Sequence, residues 1–367
     1  WSIGWETFQE NKAYIKKVVL SRKYRPKKIS DVIGQDFAVK TIKNAFELDK
    51  LAHAFLLTGI RGVGKTTIAR IIAMGLNCVS VKKPSPDPCN QCNNCKEIIE
   101  DRFDEVLELD AASHTSVDDI REIISYVKYR PTKGRYKVFV IDEVHMLSNS
   151  AFNALLKTVE EPPDYVKFIF CTTEINKIPI TILSRCQKFQ LHRVSKEKII
   201  LNLKKIVDLE KIRVSEDALV NIARFSEGSV RDSITILEQA ILSSKSEHVS
   251  IEDVNSTIGF SGNKILLEVF SEIVKGDCKS ALAFLVRAYN NGATPNIIAS
   301  EFLHLTYSLL RFHSTKEIDT MYEEYNQEQI DFLIKKTSIS LLNQFWQILL
   351  KGKEEMRIAP MEIEALE

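Results

Sequence analysis

The 367-residue chain is long enough for two or three domains of about 100 to 200 residues each, and its 44% hydrophobic content suffices for packed cores. Fifty basic against 49 acidic residues leave a formal charge of +1, which excludes a global polycation and confines any nucleic-acid contact to local patches. No run approaches the roughly 18 apolar residues of a membrane span, and Lys12, Lys16 and Lys17 interrupt any leader-like pattern, so a cytoplasmic location without membrane contact is expected. Seven cysteines, four of them clustered, then point to metal rather than disulfides.

Residues 1–19 have weak periodicity and read as an N-terminal extension. The run from Arg22 to Lys28 follows, rich in Lys and Arg. Such a run is usually a solvated face, the alternative being a segment that lies near a nucleotide. Ala54 to Leu57 is a short apolar run, and Ile68, Ile71, Ile72 and Leu76 recur at helical spacing. Between them, Gly59, Ile60, Arg61, Gly62, Val63, Gly64, Lys65, Thr66 and Thr67 form a loop matching G-x-x-x-x-G-K-[ST] in a strand, loop, helix setting. Glycines let backbone N–H groups crowd an anionic phosphate, and the helix start adds its positive dipole end. Lys65 supplies a point charge for the β and γ phosphates of a nucleotide, and the Thr66 hydroxyl suits Mg²⁺.

After this helix comes Cys78, then a segment containing Pro84, Pro86 and Pro88, then Cys89, Cys92 and Cys95. Four thiolates close a tetrahedral Zn²⁺ site, and two overlapping C-x-x-C steps supply the tight turn such a site uses. The zinc is expected to be structural, because no coordination position is left for water. Residues 105–110 alternate as a second strand leading to a helix that Ser116 is placed to cap, with Asp119 three residues on. Residues 136–141 form a third strand, apolar enough to be buried on both faces, which ends in Asp142 and Glu143. Two acids at that edge, downstream of a phosphate loop, have the layout of a Walker B element: Asp142 for Mg²⁺, Glu143 to orient or deprotonate water. His145 reads as a packing or hydrogen-bonding residue.

A helix over 150–161 is stopped by Pro162 and Pro163, and a fourth strand over 166–171 ends in Thr172 and Thr173. A hydroxyl at that tip would feel a γ-phosphate, though threonine is also an ordinary strand residue. A helical piece over 180–186 and a fifth strand over 187–191 complete an alternation that predicts a parallel sheet with its ligand at the C-terminal strand edge. From Ser195 the pattern is helical, with helices over 196–209, 216–225 and 229–242 and one from Glu252. Arg231, one turn into a helix on a small unit able to close over a nucleotide, suits either a phosphate or a surface salt bridge. Residues 263–367 form a further helical block (266–274, 280–289, 295–312, 339–350), where Trp346 reads as core or subunit interface.

These residues together resemble the gamma/tau subunits of bacterial DNA polymerase III, the clamp-loader motors among the AAA+ ATPases. The resemblance spans about residues 20–367. It rests on Arg25-Pro26, Gly34-Gln35, the loop from Gly59 to Thr66, the four cysteines and Leu109 to Ser113. Further matches are Asp142 to Leu147, Phe152 to Lys157, Glu160 to Pro163, Ser184-Arg185-Cys186 and Gly228 to Asp232. It implies an AAA+ ATP-binding domain over 20–194 with a parallel five-stranded sheet and a zinc module at 78–95, then a helical lid domain over 195–258 and an all-α collar over 259–367. It further implies that Thr173 is sensor 1, that Arg231 is the sensor 2 arginine, and that Arg185 is an arginine finger for ATP on a neighbouring subunit. The implied partners are further gamma/tau copies, delta and delta-prime subunits, the β sliding clamp and primer-template DNA, with Lys128, Arg130, Lys133 and Arg135 as candidate DNA contacts. A Holliday-junction motor, a non-catalytic delta-prime-like scaffold and a DExH helicase are rivals. The cysteine insertion with Ser184-Arg185-Cys186, the intact Lys65 and Thr66, and the helical tail argue against them respectively.

Overall fold

The computed structural model describes residues 19–113, 117–244, 248–259, 263–290, 292–316 and 327–367. The cap expected of Ser116, and all but the last residue of the 1–19 extension, lie outside them. The described residues divide into two compact units, one of residues 19–238 with His248, the other of residues 239–244 and those from Val249 on.

Five parallel strands organise the first unit: β1 (Ala54–Thr58), β2 (Val106–Asp110), β3 (Lys137–Asp142), β4 (Val166–Thr172) and β5 (Gln187–Gln190). Their order is β2-β3-β4-β1-β5. Successive side chains point to opposite faces, so each central strand feeds two cores. Phe55, Leu57, Val138, Val140, Ile169 and Cys171 pack on one face with α1 (Asp36–Glu47) and α2 (Lys65–Asn77). Leu56, Phe139, Ile141, Phe168 and Phe170 face the other way, between α4 (Val117–Val127) and α5 (Asn149–Glu160). A strand covered on both sides has no polar face to show, which is why β3 and β4 read as continuous apolar runs. A single-turn helix, Leu20–Lys23, precedes α1, and α3 (Asn93–Ile99) carries the end of the cysteine arm.

Beyond β4 come the short α6 (Ile180–Leu183), then α7 (Lys196–Glu210), α8 (Glu216–Phe225) and α9 (Val230–Ser243). Serine caps set several starts: Ser148, Ser195 and Ser215 each accept a backbone N–H from three residues on, a contact worth about 1 kcal/mol.

The second unit is helical: α10 (Ile251–Ile258), α11 (Asn263–Lys275), α12 (Cys278–Asn290), α13 (Pro295–Thr315), α14 (Gln327–Lys336) and α15 (Ile339–Met356). Phe270 and Phe345 meet in a T-shaped contact with ring centroids 5.0 Å apart in its core, and Trp346 packs beside Tyr307. Helix α15 runs six residues past the expected end at 350. Lys351, Lys353, Glu354 and Glu355 are good helix formers that show no apolar period, and Met356 is buried at the close. Helix α3, seven residues inside the cysteine arm, is too short to display an apolar period, and α14 is a further helix between those expected at 295–312 and 339–350.

Candidate active site and metal centre

Strand order decides what meets at the C-terminal sheet edge. Strand β4 lies between β1 and β3, so its tip separates the loop that follows β1 from the acids that end β3. Thr66 Oγ1 donates to Asp142 Oδ2 at 2.6 Å, joining two residues 76 positions apart. Lys65 is buried, and its Nζ donates to the carbonyls of Gly59 and Ile60, both at 3.0 Å. Burial pushes its pKa down, while Glu143 and Asp142 pull it back up. A cleft of about 300 Å³ opens beside them, lined by Thr58, Gly59, Ile60, Thr173, Leu191 and Arg193 among others.

Glu143 takes a left-handed backbone (φ 45°), an uncommon conformation for a non-glycine residue. Its Oε2 accepts from the backbone N–H of Thr173 at 3.2 Å and from the Thr173 hydroxyl at 3.1 Å. His145 is indeed a buried hydrogen-bonding residue, with Nδ1 3.0 Å from Thr172 Oγ1. Cys171 is fully buried beneath these groups, and that burial holds its thiol well above the ordinary cysteine range.

The loop also docks on α9. Gly62 (φ 78°) accepts from the Arg231 backbone N–H at 3.2 Å, and a Cβ on Gly62 would fall 2.0 Å from Ser229 Oγ. This brings Arg231 to the nucleotide loop. Arg185 makes its contacts elsewhere: it bonds to Glu160 at the end of α5, to the Thr181 carbonyl at 2.6 Å and to Ser184 Oγ at 3.3 Å.

Three residues matter more than sequence reasoning finds. Arg25, in the basic run, is not simply solvated: its Nε donates to Thr67 Oγ1 at 3.1 Å, and burial, with Arg70 and Arg231 nearby, lowers its pKa. Gln35 is buried, donates to the His192 carbonyl at 2.8 Å and accepts from the His192 N–H at 3.0 Å. Both belong to motifs that carry the resemblance, yet periodicity gives neither a role. Asn77, at the end of α2, accepts from the backbone of Arg135 and Tyr136, both at 2.9 Å, and donates to the Tyr136 carbonyl at 3.0 Å. Its only sequence signal is that it precedes Cys78.

The sulfur atoms of Cys78, Cys89, Cys92 and Cys95 all lie within 4.8 Å of one another. A tetrahedron with metal–sulfur bonds of about 2.3 Å has sulfur–sulfur edges of about 3.8 Å, so the group fits a metal ion. Backbone N–H groups of Cys92 (3.3 Å) and Gln91 (3.4 Å) donate to Cys89 Sγ, and that of Cys89 donates to Cys78 Sγ at 3.5 Å. A hydrogen bond from Ser80, with those backbone donors, pulls the Cys89 thiol down to about 6, whereas burial pushes Cys95 up. Of the basic residues expected at DNA, Arg135 reaches the Val81 carbonyl and so braces the cysteine arm, and Lys133 pairs with Asp104 at 3.7 Å. Arg130 lies over the Tyr165 ring, while Lys128 is exposed.

Family models match nearly all of this chain. Residues 34–195 match the model described as DNA polymerase III, delta subunit; residues 198–246 the DNA polymerase III clamp loader subunit, ATPase lid domain; and residues 249–367 domain III of DNA polymerase III subunits gamma and tau. DNA polymerase III subunit gamma of Buchnera aphidicola subsp. Acyrthosiphon pisum is 41% identical over 94% of this chain and 95% of its own. Subunit tau of Escherichia coli is 39% identical over 93% of this chain and 53% of its own, and that of Bacillus subtilis 37% over 92% and 60%. The chain thus spans nearly the whole of its gamma relative and little more than half of the tau relatives. Among solved structures, the Thermotoga maritima RuvB Holliday junction branch migration motor covers 69% of this chain and 80% of its own at 20% identity, with a TM-score of 0.48, too loose a likeness to carry an argument. Among the described residues no helix is long and apolar enough to cross a membrane. With relatives near 40% identical along nearly its whole length, the chain belongs to the gamma/tau family of bacterial DNA polymerase III clamp-loader subunits, which are AAA+ ATPases.

Proposed function

We propose that this chain hydrolyses ATP at the loop between β1 and α2, and that a clamp loader built with further gamma/tau copies, delta and delta-prime uses that cycle in the cytoplasm. The ring opens a β sliding clamp and loads it on primer-template DNA. One observation carries the reading: the 2.6 Å hydrogen bond from Thr66 to Asp142, which makes the phosphate loop and the acid-bearing strand one corner with oxygens for a divalent cation.

In this reading the backbone N–H groups of Gly59 to Thr67 cradle the phosphates, and the Lys65 ammonium sits between the β and γ groups. Thr66 and Asp142 would hold Mg²⁺, which would supply positive charge against the negative charge that develops on the phosphate oxygens. Glu143 orients a water and takes its proton as the new bond to the γ-phosphorus forms and the bond to the bridging oxygen of ADP breaks. Thr173 and Arg231 contact the γ-phosphate side of the site. Arg185 serves ATP on the adjoining protomer, where a planar guanidinium forks onto phosphate oxygens. The four cysteines hold a structural Zn²⁺. The domains are the ATP-binding domain at 20–194, a lid at 195–258 and a collar at 259–367.

The test is ATP turnover by the reconstituted assembly with delta, delta-prime, β clamp and primed DNA, for wild type and for Arg185→Ala. Turnover is expected to be weak for the lone chain, to rise on assembly, and to fall at least tenfold in the variant. Full stimulated turnover by Arg185→Ala would overturn the assignment of a trans-acting arginine.

A further inference from the structure

We infer that His145 is a positioning residue for ATP hydrolysis, tying the Glu143 carboxylate to the tip of β4 so that Glu143 and Thr173 are set as one unit. The inference rests on the reading of those two residues as groups at the γ-phosphate.

His145 sits in the single turn Val144–Met146 that follows β3, with its side chain only 6% exposed. Its Nδ1 hydrogen-bonds with Thr172 Oγ1 at 3.0 Å and lies 3.4 Å from Glu143 Oε2, while Nε2 lies 3.3 Å from Glu174 Oε1. One imidazole therefore touches the proposed water-orienting acid and residues on both sides of Thr173. The surrounding groups are themselves fixed. Thr172 is fully buried and its hydroxyl accepts from the Glu174 backbone N–H at 3.0 Å, while Glu174 is held on its far side by Lys177 at 2.9 Å. Glu143 follows the strand in a left-handed conformation, so the strand itself does not determine where its flexible side chain points. Thr173 supplies two donors from just past the end of β4, and His145 closes the arrangement from the turn after β3. A residue that merely filled space would not need a polar partner at each ring nitrogen.

The amides of Asn and Gln separate the two nitrogens: Asn places a polar atom near Nδ1, on the Glu143 and Thr172 side, and Gln near Nε2, on the Glu174 side. Steady-state ATP hydrolysis by the full chain, with equilibrium ATP binding measured alongside, would be compared for His145→Ala, His145→Asn, His145→Gln and Glu143→Gln. His145→Ala is expected to lower kcat about tenfold with KM and ATP affinity within twofold of wild type, and His145→Asn to restore most of that loss while His145→Gln does not. Asparagine no better than alanine, or variants that keep kcat within twofold, would overturn the inference. Should the alanine protein fail to fold, Thr172→Val, which keeps volume and removes the hydroxyl, is expected to lower kcat likewise at unchanged KM, and full activity there would overturn it equally. Glu143→Gln separates the two levels: if it retains full turnover, the reading of the site itself fails, whatever the histidine variants do.

Discussion

Replacing Asn77 by alanine removes the side chain that fastens α2 to the loop before β3. Asn77 is 0% exposed, and its amide makes three hydrogen bonds of 2.9 to 3.0 Å to the backbone of Arg135 and Tyr136. Truncation leaves two N–H groups and one carbonyl without these partners around a buried position, at about 1 to 3 kcal/mol for each group. Allowing for partial rescue by relaxation, the loss is about 3 to 5 kcal/mol, a large share of the ~5 to 15 kcal/mol that keeps a domain folded. With a urea dependence near ~3 kcal/mol/M for a unit of this size, the unfolding midpoint should fall by about 1 M or more. Urea titration followed by circular dichroism measures it. Asn77→Asp keeps both acceptor contacts but loses the donor to Tyr136 and buries a charge, so it should do no better than alanine. A midpoint shift below about 0.3 M at unchanged slope would refute the claim that this amide joins the two elements.

Gly62→Ala would strain a left-handed residue by about 1 to 2 kcal/mol and push Ser229 off its bond from the Asp232 N–H, so the same titration should show a loss of ~2 to 3 kcal/mol; an unchanged midpoint counts against the contact between loop and α9. Burial and the hydrogen bond to Glu210 push Tyr24 up to about 12, above its ordinary value near 10. The protonated phenol is the form the fold favours, so its contribution is fully present below about 10 and is lost as pH rises toward about 12. Wild type should therefore lose stability across that window relative to Tyr24→Phe, and parallel pH curves for the two would contradict it. Metal analysis should find one Zn²⁺ per chain, with Cys95→Ser well below that, since three thiolates no longer close the tetrahedron. A wild-type zinc content near zero would contradict the assignment.

The parts of the site that lie within one short stretch were legible without coordinates. The phosphate loop carries its own strand and helix signals, the cysteines their own spacing, and β3 its apolar run ending in two acids. Thr66 and Asp142 were expected to meet at one cation because each has a chemistry that the other completes, and the two side chains are hydrogen-bonded. The environment of Arg25 was not legible, because a charge run on paper does not show which of its members turns inward, and Arg25 lies on Thr67. Gln35 and Asn77 escaped for a related reason. Each satisfies backbone groups far along the chain, at His192 and at Arg135 and Tyr136, and a buried amide leaves no period behind.

Local chemistry is written in local sequence: which segments are strands, which loop cradles anions, and which residues carry sulfur or carboxylate. The tertiary structure alone decided that β4 lies between β1 and β3, and so that Thr173 meets Glu143 at the edge where the loop after β1 also ends. It alone set Glu160 against Arg185, and the start of α9 against Gly62. Strand order depends on which buried faces pack best against which helices, a sum over contacts between distant residues that no single stretch of the chain contains.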